Sequence, residues 1–325
     1  MNALVTGGAG FIGSHLCKRL VKDGHSVVAI DNLSNGVLCN LEELEGNPNF
    51  AFYEFDVNDK ATLKDVFEKH SFDMVFHLAA NADVAKGEEN PQEDITNTLQ
   101  TTLTVLDTMR IYGVKKFFLA SSSTVYGNVE GRIQENTTIM RPVSHYGAAK
   151  LASEAFVSSF CNLHGFQVWI ARFCNVVGPN MTHGVIPDLI RKLKQHPDQL
   201  EVYGDGTQSK PYIYIDDLIE GVMCLLKQTS NAYNAFLIGV DTNVSVKQIA
   251  EIVMDEIGIH IPINYEVGYT GWKGDVTRYT YDITSIKMLG WTPKYTSDYA
   301  VRISVKQNLR SYNNSTMGYE TIYNL

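Results

Sequence analysis

The sequence predicts an α/β fold: a doubly wound parallel sheet joined to a smaller, partly interleaved α/β domain. Three observations predict it. Apolar runs of strand length alternate with helix-period segments through the first half of the chain, a pattern that implies crossover connections and a sheet covered on both faces. Three glycines, Gly7, Gly10 and Gly13, join the first apolar run to the first helical pattern. After Gly178-Pro179 the alternation loosens into loops, short strands and shorter helices. At 325 residues the chain is also long for a single core.

Taken in order, the first strand is Ala3-Leu4-Val5, followed by Thr6-Gly-Gly-Ala-Gly-Phe-Ile-Gly13 and a helix marked by Ile12, Leu16 and Leu20. Gly7 permits a tight turn, Gly10 lets the backbone approach a pyrophosphate, and Gly13 lets helix and strand pack closely. The free N–H groups of the helix start, at Phe11 and Ile12, face the anion. This is a Rossmann-type cradle. A second strand, Ser26 to Ile30, ends in Asp31, whose carboxylate can accept from both ribose hydroxyls and would repel a 2′-phosphate. That favours NAD over NADP, although Asp31 also opens a turn. The third strand, Phe50–Phe55, delivers Asp56-Val57 to the adenine edge or simply to a turn. A helix over 61–69 leads to a fourth strand, Met74–Leu78. Asp83 comes next, placed to bind sugar hydroxyls or to start a turn. A helix over 95–112, a strand over 116–120, a helix over 146–164 and a strand over 167–171 complete the alternation, and Ala235–Val240 can return to the sheet. The expected division is an NAD-binding domain, 1–175 with segments returning near 212–240, and a nucleotide-sugar-binding domain, 176–211 and 241–325.

Composition excludes several classes. A formal net charge of −9 without basic clusters argues against nucleic acid, and no apolar run reaches membrane-spanning length. Five scattered cysteines read as free thiols, and the nine histidines lack ligand spacing, so no metal site is expected. With a strand starting at residue 2 and no signal peptide, the expected location is the cytoplasm.

The second strong motif is Tyr146-Gly-Ala-Ala-Lys150. Ser144 is placed as a helix N-cap, which puts Tyr146 in the first turn and Lys150 one turn later on the same face. A phenol with an ordinary pKa near 10 needs a shift of roughly 2–3 units to act as a base at neutral pH. The Lys150 ammonium, the helix N-terminus and a nicotinamide cation all work in that direction. The hydroxyl row Ser121-Ser122-Ser123-Thr124 comes after the strand ending at Ala120, where open α/β sheets bind ligands.

Together these residues resemble the extended short-chain dehydrogenase/reductases, in the NAD-dependent sugar epimerase/dehydratase family and in particular its UDP-glucose 4-epimerase-like members. The likeness runs through T-G-G-A-G-F-I-G-S-H at Thr6, H-L-A-A at His77, S-S-S-T-V-Y-G at Ser121, Y-G-A-A-K at Tyr146 and R-F-C-N-V-V-G-P at Arg172. It continues in G-D-G-T-Q at Gly204, Y-I-D-D-L at Tyr214, G-D-V at Gly274 and L-G-W-T-P at Leu289. The resemblance implies Ser122 as the catalytic hydroxyl beside Tyr146 and Lys150. It implies a nucleotide-diphosphate sugar as substrate, with Asn175 at its diphosphate and Ser122, Ser123, Lys210 and Asp83 around it. The cofactor surface it implies also takes in Asn32, Leu78, Ala79, Ala80 and Asn97. A homodimer through the helices near 95–112 and 146–164 is expected.

Members differ in the step after oxidation at C4. The 4,6-dehydratases carry Asp-Glu directly after the catalytic hydroxyl, where this chain has Ser123-Thr124. The 3,5-epimerases carry a cysteine where Ser123 stands, although His183 lies in a suitable loop. The remaining reading is a 4-epimerase, with a 4-dehydrogenase that releases the keto sugar as the alternative and a non-catalytic NAD-binding regulator as a remoter one. Lys210-Pro211, Trp272-Lys273 and His145 depart from UDP-galactose-type epimerases, so UDP and GDP both stay open as the nucleotide.

Overall fold

The computed structural model describes residues 1–129, 131–266 and 274–314. Trp272-Lys273 therefore lie outside the described residues. Seven strands form the central sheet: β1 (Asn2–Thr6), β2 (Ser26–Asp31), β3 (Phe50–Glu54), β4 (Met74–His77), β5 (Lys116–Ser122), β6 (Gln167–Phe173) and β7 (Tyr233–Ile238). Their spatial order is β7-β6-β5-β4-β1-β2-β3, and every neighbouring pair is parallel. The order reverses between β1 and β4, which opens a crevice at their carboxyl ends.

Because both faces are covered, the strands are continuous apolar runs. Leu4, Val28, Val75, Phe117 and Val168 point to one side. There they meet α2 (Lys60–Lys69), α3 (Thr101–Ile111) and α4 (His145–His164) through Leu63, Leu106 and Val157. Val5, Ala29, Phe76, Phe118 and Ala171 point to the other, against α1 (Phe11–Lys22) and, after α5 (Val185–Gln195), against α6 (Ile215–Gln228). That second core runs on without a break into α5, α7 (Val246–Ile257) and α8 (Ser297–Asn314) through Leu189, Ile249 and Ala300.

Short strand pairs interleave the carboxyl-terminal half with the loops of the sheet. Tyr212–Tyr214 runs parallel to Asn175–Val177, and Thr280–Tyr281 runs parallel to Arg132–Ile133. The second pairing holds the segment after Gly274 against the loop beyond β5.

The helix expected over 95–112 is broken. Pro91–Asp94 is one short turn, Ile95–Gln100 is a π-helix, and α3 begins only at Thr101. Threonines explain the distortion. Thr101 Oγ1 donates to the carbonyls of Asn97 and Thr98, and Thr102 Oγ1 donates to that of Thr98. Such back-bonding bends helices, and π-turns gather at functional sites.

Candidate active site

The glycine loop lies at the β1–β4 crevice. Gly7 has a φ of 71°, and a Cβ there would sit 2.7 Å from the Ala79 nitrogen. At Gly13 a Cβ would collide with the Gly7 carbonyl. Around Gly10 the described residues bring only the Gly7 carbonyl within 4 Å of a Cβ. Among the described residues no side chain caps α1, so the backbone at Phe11 and Ile12 opens the helix with its N-terminal dipole toward the glycine loop. An open cradle that a side chain would fill, at a helix start, fits a pyrophosphate.

Asp31 ends β2 as a residue 8% exposed, its carboxylate accepting from Ala9 N at 3.0 Å and Leu33 N at 2.9 Å. Burial raises its pKa, and those backbone donors oppose the rise. Asn32 donates to Asp56, which also accepts from Asn58 N, and Val57 is buried beside them. Leu78 and Ala79 are anchored to Thr6 at the end of β1, with Ala80 after them. Beneath them His77 bridges Thr6 Oγ1 (2.7 Å) and Thr102 Oγ1 (3.1 Å). Burial, then the charge of Lys150, pulls His77 down to about 3, so it is a neutral strut between β1, β4 and α3. Asn97 gives its amide to Glu93, and its neighbour Thr98 turns inward to accept from Asn81 N.

Ser144 caps α4 by accepting from Gly147 N at 3.1 Å, which sets Tyr146 in the first turn. A Cβ at Gly147 would stand 2.7 Å from the Thr124 carbonyl, so only glycine lets α4 lie this close to the hydroxyl loop. Lys150 Nζ is 5.8 Å from the Tyr146 ring centre and donates to the Ala120 carbonyl at 2.8 Å. Ser122 accepts from Thr124 N at 3.2 Å and from Thr124 Oγ1 at 3.0 Å. That leaves its own proton for the hydrogen bond it shares with Tyr146. Burial pushes Tyr146 up to about 12, against the Ser122 bond and with the help of Asp94. Lys150 goes down to about 8 for the same reason, opposed by Glu154 and Asp94.

At the substrate end, Ser123 turns inward and donates to Tyr279 Oη at 3.0 Å. Asn175 donates to the same oxygen (3.3 Å) and to the Pro211 carbonyl (3.2 Å). Lys210 pairs with Asp275 of the G-D-V motif. Asp83 caps the short helix Val84–Glu89, accepting from Ala85 N and Lys86 N, which is the turn-starting role. The structure thus brings Tyr146, Lys150 and Ser122 together, and commits Ser123 and Asp83 to local structure.

Residues 3–239 match the model of the NAD dependent epimerase/dehydratase family. The chain belongs to this family. It is 32% identical over 316 residues to the UDP-glucuronate 4-epimerase of Thermodesulfobacterium geofontis, covering 94% of this chain and 96% of that protein. Among solved structures it is similar to a UDP-glucose 4-epimerase with UDP-glucose from Thermotoga maritima. There the identity is 32% and the TM-score 0.86, over 96% of this chain and 100% of that one. It is also similar to the dTDP-glucose 4,6-dehydratase DesIV from Streptomyces venezuelae with NAD bound, at 26% identity and a TM-score of 0.89 over 99% and 100%. The protein is an NAD-dependent enzyme of this epimerase/dehydratase class on a Rossmann-type sheet. A dehydratase superposes as well as an epimerase, so the backbone does not separate the two chemistries.

Several members of the site escape sequence reasoning. Tyr279 works through partners 104 and 156 residues away, and Asn81 and Asp94 through a buried pairing that no motif marks. The buried pair Glu154–Arg172, 5% exposed on each side, ties α4 to β6 and receives the Ser121 hydroxyl at the end of β5. The sequence signal for it was an acid one turn after Lys150 and an arginine opening the R-F-C-N motif. Among the described residues no His/Cys/Asp/Glu group could hold a metal, all five cysteines are free, and no helix is long and apolar enough to cross a membrane.

Proposed function

We propose that this enzyme is a nucleotide-sugar 4-epimerase that works through a transient 4-keto sugar. The observation that carries the reading is the hydroxyl loop. After Ser122 the chain offers Ser123, committed to Tyr279, and Thr124, committed to Ser122. Neither can expel water from the sugar as an acid–base carboxylate would, so chemistry stays at the oxidised carbon.

In this mechanism Tyr146 takes the proton from O4 and later returns it. Ser122 turns the proton it shares with Tyr146 toward O4 once the sugar lies between them. Lys150, fixed by the Ala120 carbonyl, keeps positive charge beside the phenol. The chemistry supplied by bound NAD is acceptance of the C4 hydride and its return to the opposite face. Gly7, Gly10, Phe11, Ile12, Gly13 and Asp31 would hold it, with Asn32, Asp56, Val57, Leu78, Ala79, Ala80 and Asn97 on the flanking loops. The nucleotide end of the sugar would rest on residues 176–211 and 241–325, with Asn175 and the Lys210–Asp275 pair at its diphosphate. Exposed Phe156 and Leu163 on α4, with Ile95 at the head of the helix leading to α3, support a homodimer through these helices, which sedimentation would test.

The experiment is a proton NMR time course with UDP- and GDP-hexoses while absorbance at the NADH band is monitored. A C4 epimer without lasting NADH supports the epimerase and identifies its substrate. Accumulating NADH with a 4-keto sugar would make the protein a 4-dehydrogenase, and a 4-keto-6-deoxy product would make it a dehydratase.

A further inference from the structure

Asp94 is a buried carboxylate that the epimerase mechanism does not use. It is 1% exposed, and it ends the short helix Pro91–Asp94, which packs against α4. One oxygen accepts from Asn81 Nδ2 at 2.9 Å. The other, Oδ2, has no hydrogen-bond partner among the described residues. It lies directly over the α-carbon of Gly87, where a Cβ would collide with it. A buried carboxylate left half unpaired is costly, and such a group calls for a reason.

The surrounding charges supply one. Burial raises the pKa of Asp94; the Asn81 hydrogen bond and, from α4, His145 and Lys150 oppose that rise, Glu93 of its own helix adds to it, and the charge of Asp94 in turn bears on Tyr146. Lys86, Glu88 and Glu89 of the helix above it are turned to solvent, and the adjoining π-helix Ile95–Gln100 carries no charge. Besides burial, Glu154 and then Asp94 act on Lys150, and His77 on β4, which feels its charge, is neutral. Glu154 is consumed by Arg172 and Ser121. Of the two carboxylates that act on the ammonium among the described residues, Asp94 is therefore the one with an oxygen still uncommitted, and its short helix packs on α4.

We propose that Asp94 is a positioning residue for the Tyr146–Lys150 pair, a fixed buried charge that holds Lys150 as an ammonium and opposes premature charge on Tyr146. The inference rests on the assignment of Tyr146 as the acid–base group. Asn81 links this charge to the loop that carries Asp83, because its Nδ2 also donates to the Asp83 carbonyl. The direction of the effect is definite. Removing an anion makes a neighbouring phenol easier to ionise and a neighbouring ammonium easier to deprotonate, so both titrations move the same way.

The test is the pH dependence of kcat/KM for the holoenzyme, its Asp94→Asn and Asp94→Ser variants, and Tyr146→Phe. Asparagine keeps the shape, and serine relieves any crowding against Gly87 if the amide does not fold. The expected result is that both limbs of the bell move to lower pH by on the order of one unit in the neutral variants, with NAD affinity kept. Limbs that stay in place while kcat falls would overturn the inference and leave Asp94 a packing residue. If Tyr146→Phe keeps wild-type activity, the catalytic assignment itself fails, and that result is read independently of Asp94.

Discussion

Burial is the main cause that puts Tyr146 at about 12, with Asp94 adding to it, and Lys150 at about 8, with Glu154 and Asp94 opposing, so the pair as folded keeps its phenol protonated. The shift needed for a base has to arrive with positive charge in the crevice, which makes proton removal depend on a filled cofactor site. Tyr146→Phe is expected to lower kcat by roughly 10²–10⁴-fold, the usual scale for a positioned acid–base group, while NAD still binds. Steady-state rates and cofactor titration on the same preparation check this. At this scale the sequence was legible where chemistry is carried by local spacing: Tyr146 and Lys150 share a helix face, and Ser122 ends a strand. It was illegible where a hydroxyl finds its partner far away. Ser123 looks like a substrate ligand until Tyr279, 156 residues on, takes its proton. Asp94 gave no signal at all, since its meaning lies in a pairing with Asn81 and a missing side chain at Gly87.

The elements place these residues by close approach. Loop, strand and helix meet at Gly7 and Gly13 with no room for a methyl group. Gly13→Ala should therefore push α1 off β1 and abolish the thermal stabilisation that NAD gives the wild type, which differential scanning with and without cofactor reads directly. Retention of that upshift would mean the cradle tolerates the methyl. Removal of the cap by Ser144→Ala is expected to cost about 1 kcal/mol in unfolding free energy, measured by urea denaturation. The cap and the glycine triplet were readable in advance because each is a short sequence rule with one steric cause. The π-turn before α3 was not, since periodicity sees apolar positions and misses threonine hydroxyls bonding back to their own helix.

Across the whole molecule, the parallel sheet arises from apolar runs that must be buried on both faces, and its order places the crevice at β1 and β4. The runs encode the return of the strand at Tyr233–Ile238 to the sheet but not the finer interleaving, because pairings as short as Arg132–Ile133 with Thr280–Tyr281 carry no pattern of their own. The His77 strut gives the fold an acid sensitivity. Its native pKa of about 3 lies below the ordinary value of 6.5, so between those values the unfolded chain binds a proton that the native one refuses. Stability from this group is full above the upper value and falls with pH by about 1.4 kcal/mol per unit toward the lower one. His77→Gln should lose about 2 kcal/mol less than wild type between pH 7 and pH 5 in urea unfolding. The central claim is that hydride leaves C4 and comes back to it within one active site. A substrate deuterated at C4 tests that most directly, with the product read by NMR and mass spectrometry in ordinary water. Epimer that keeps its deuterium at C4 is the predicted result, and epimer that has exchanged the label with solvent would contradict the account.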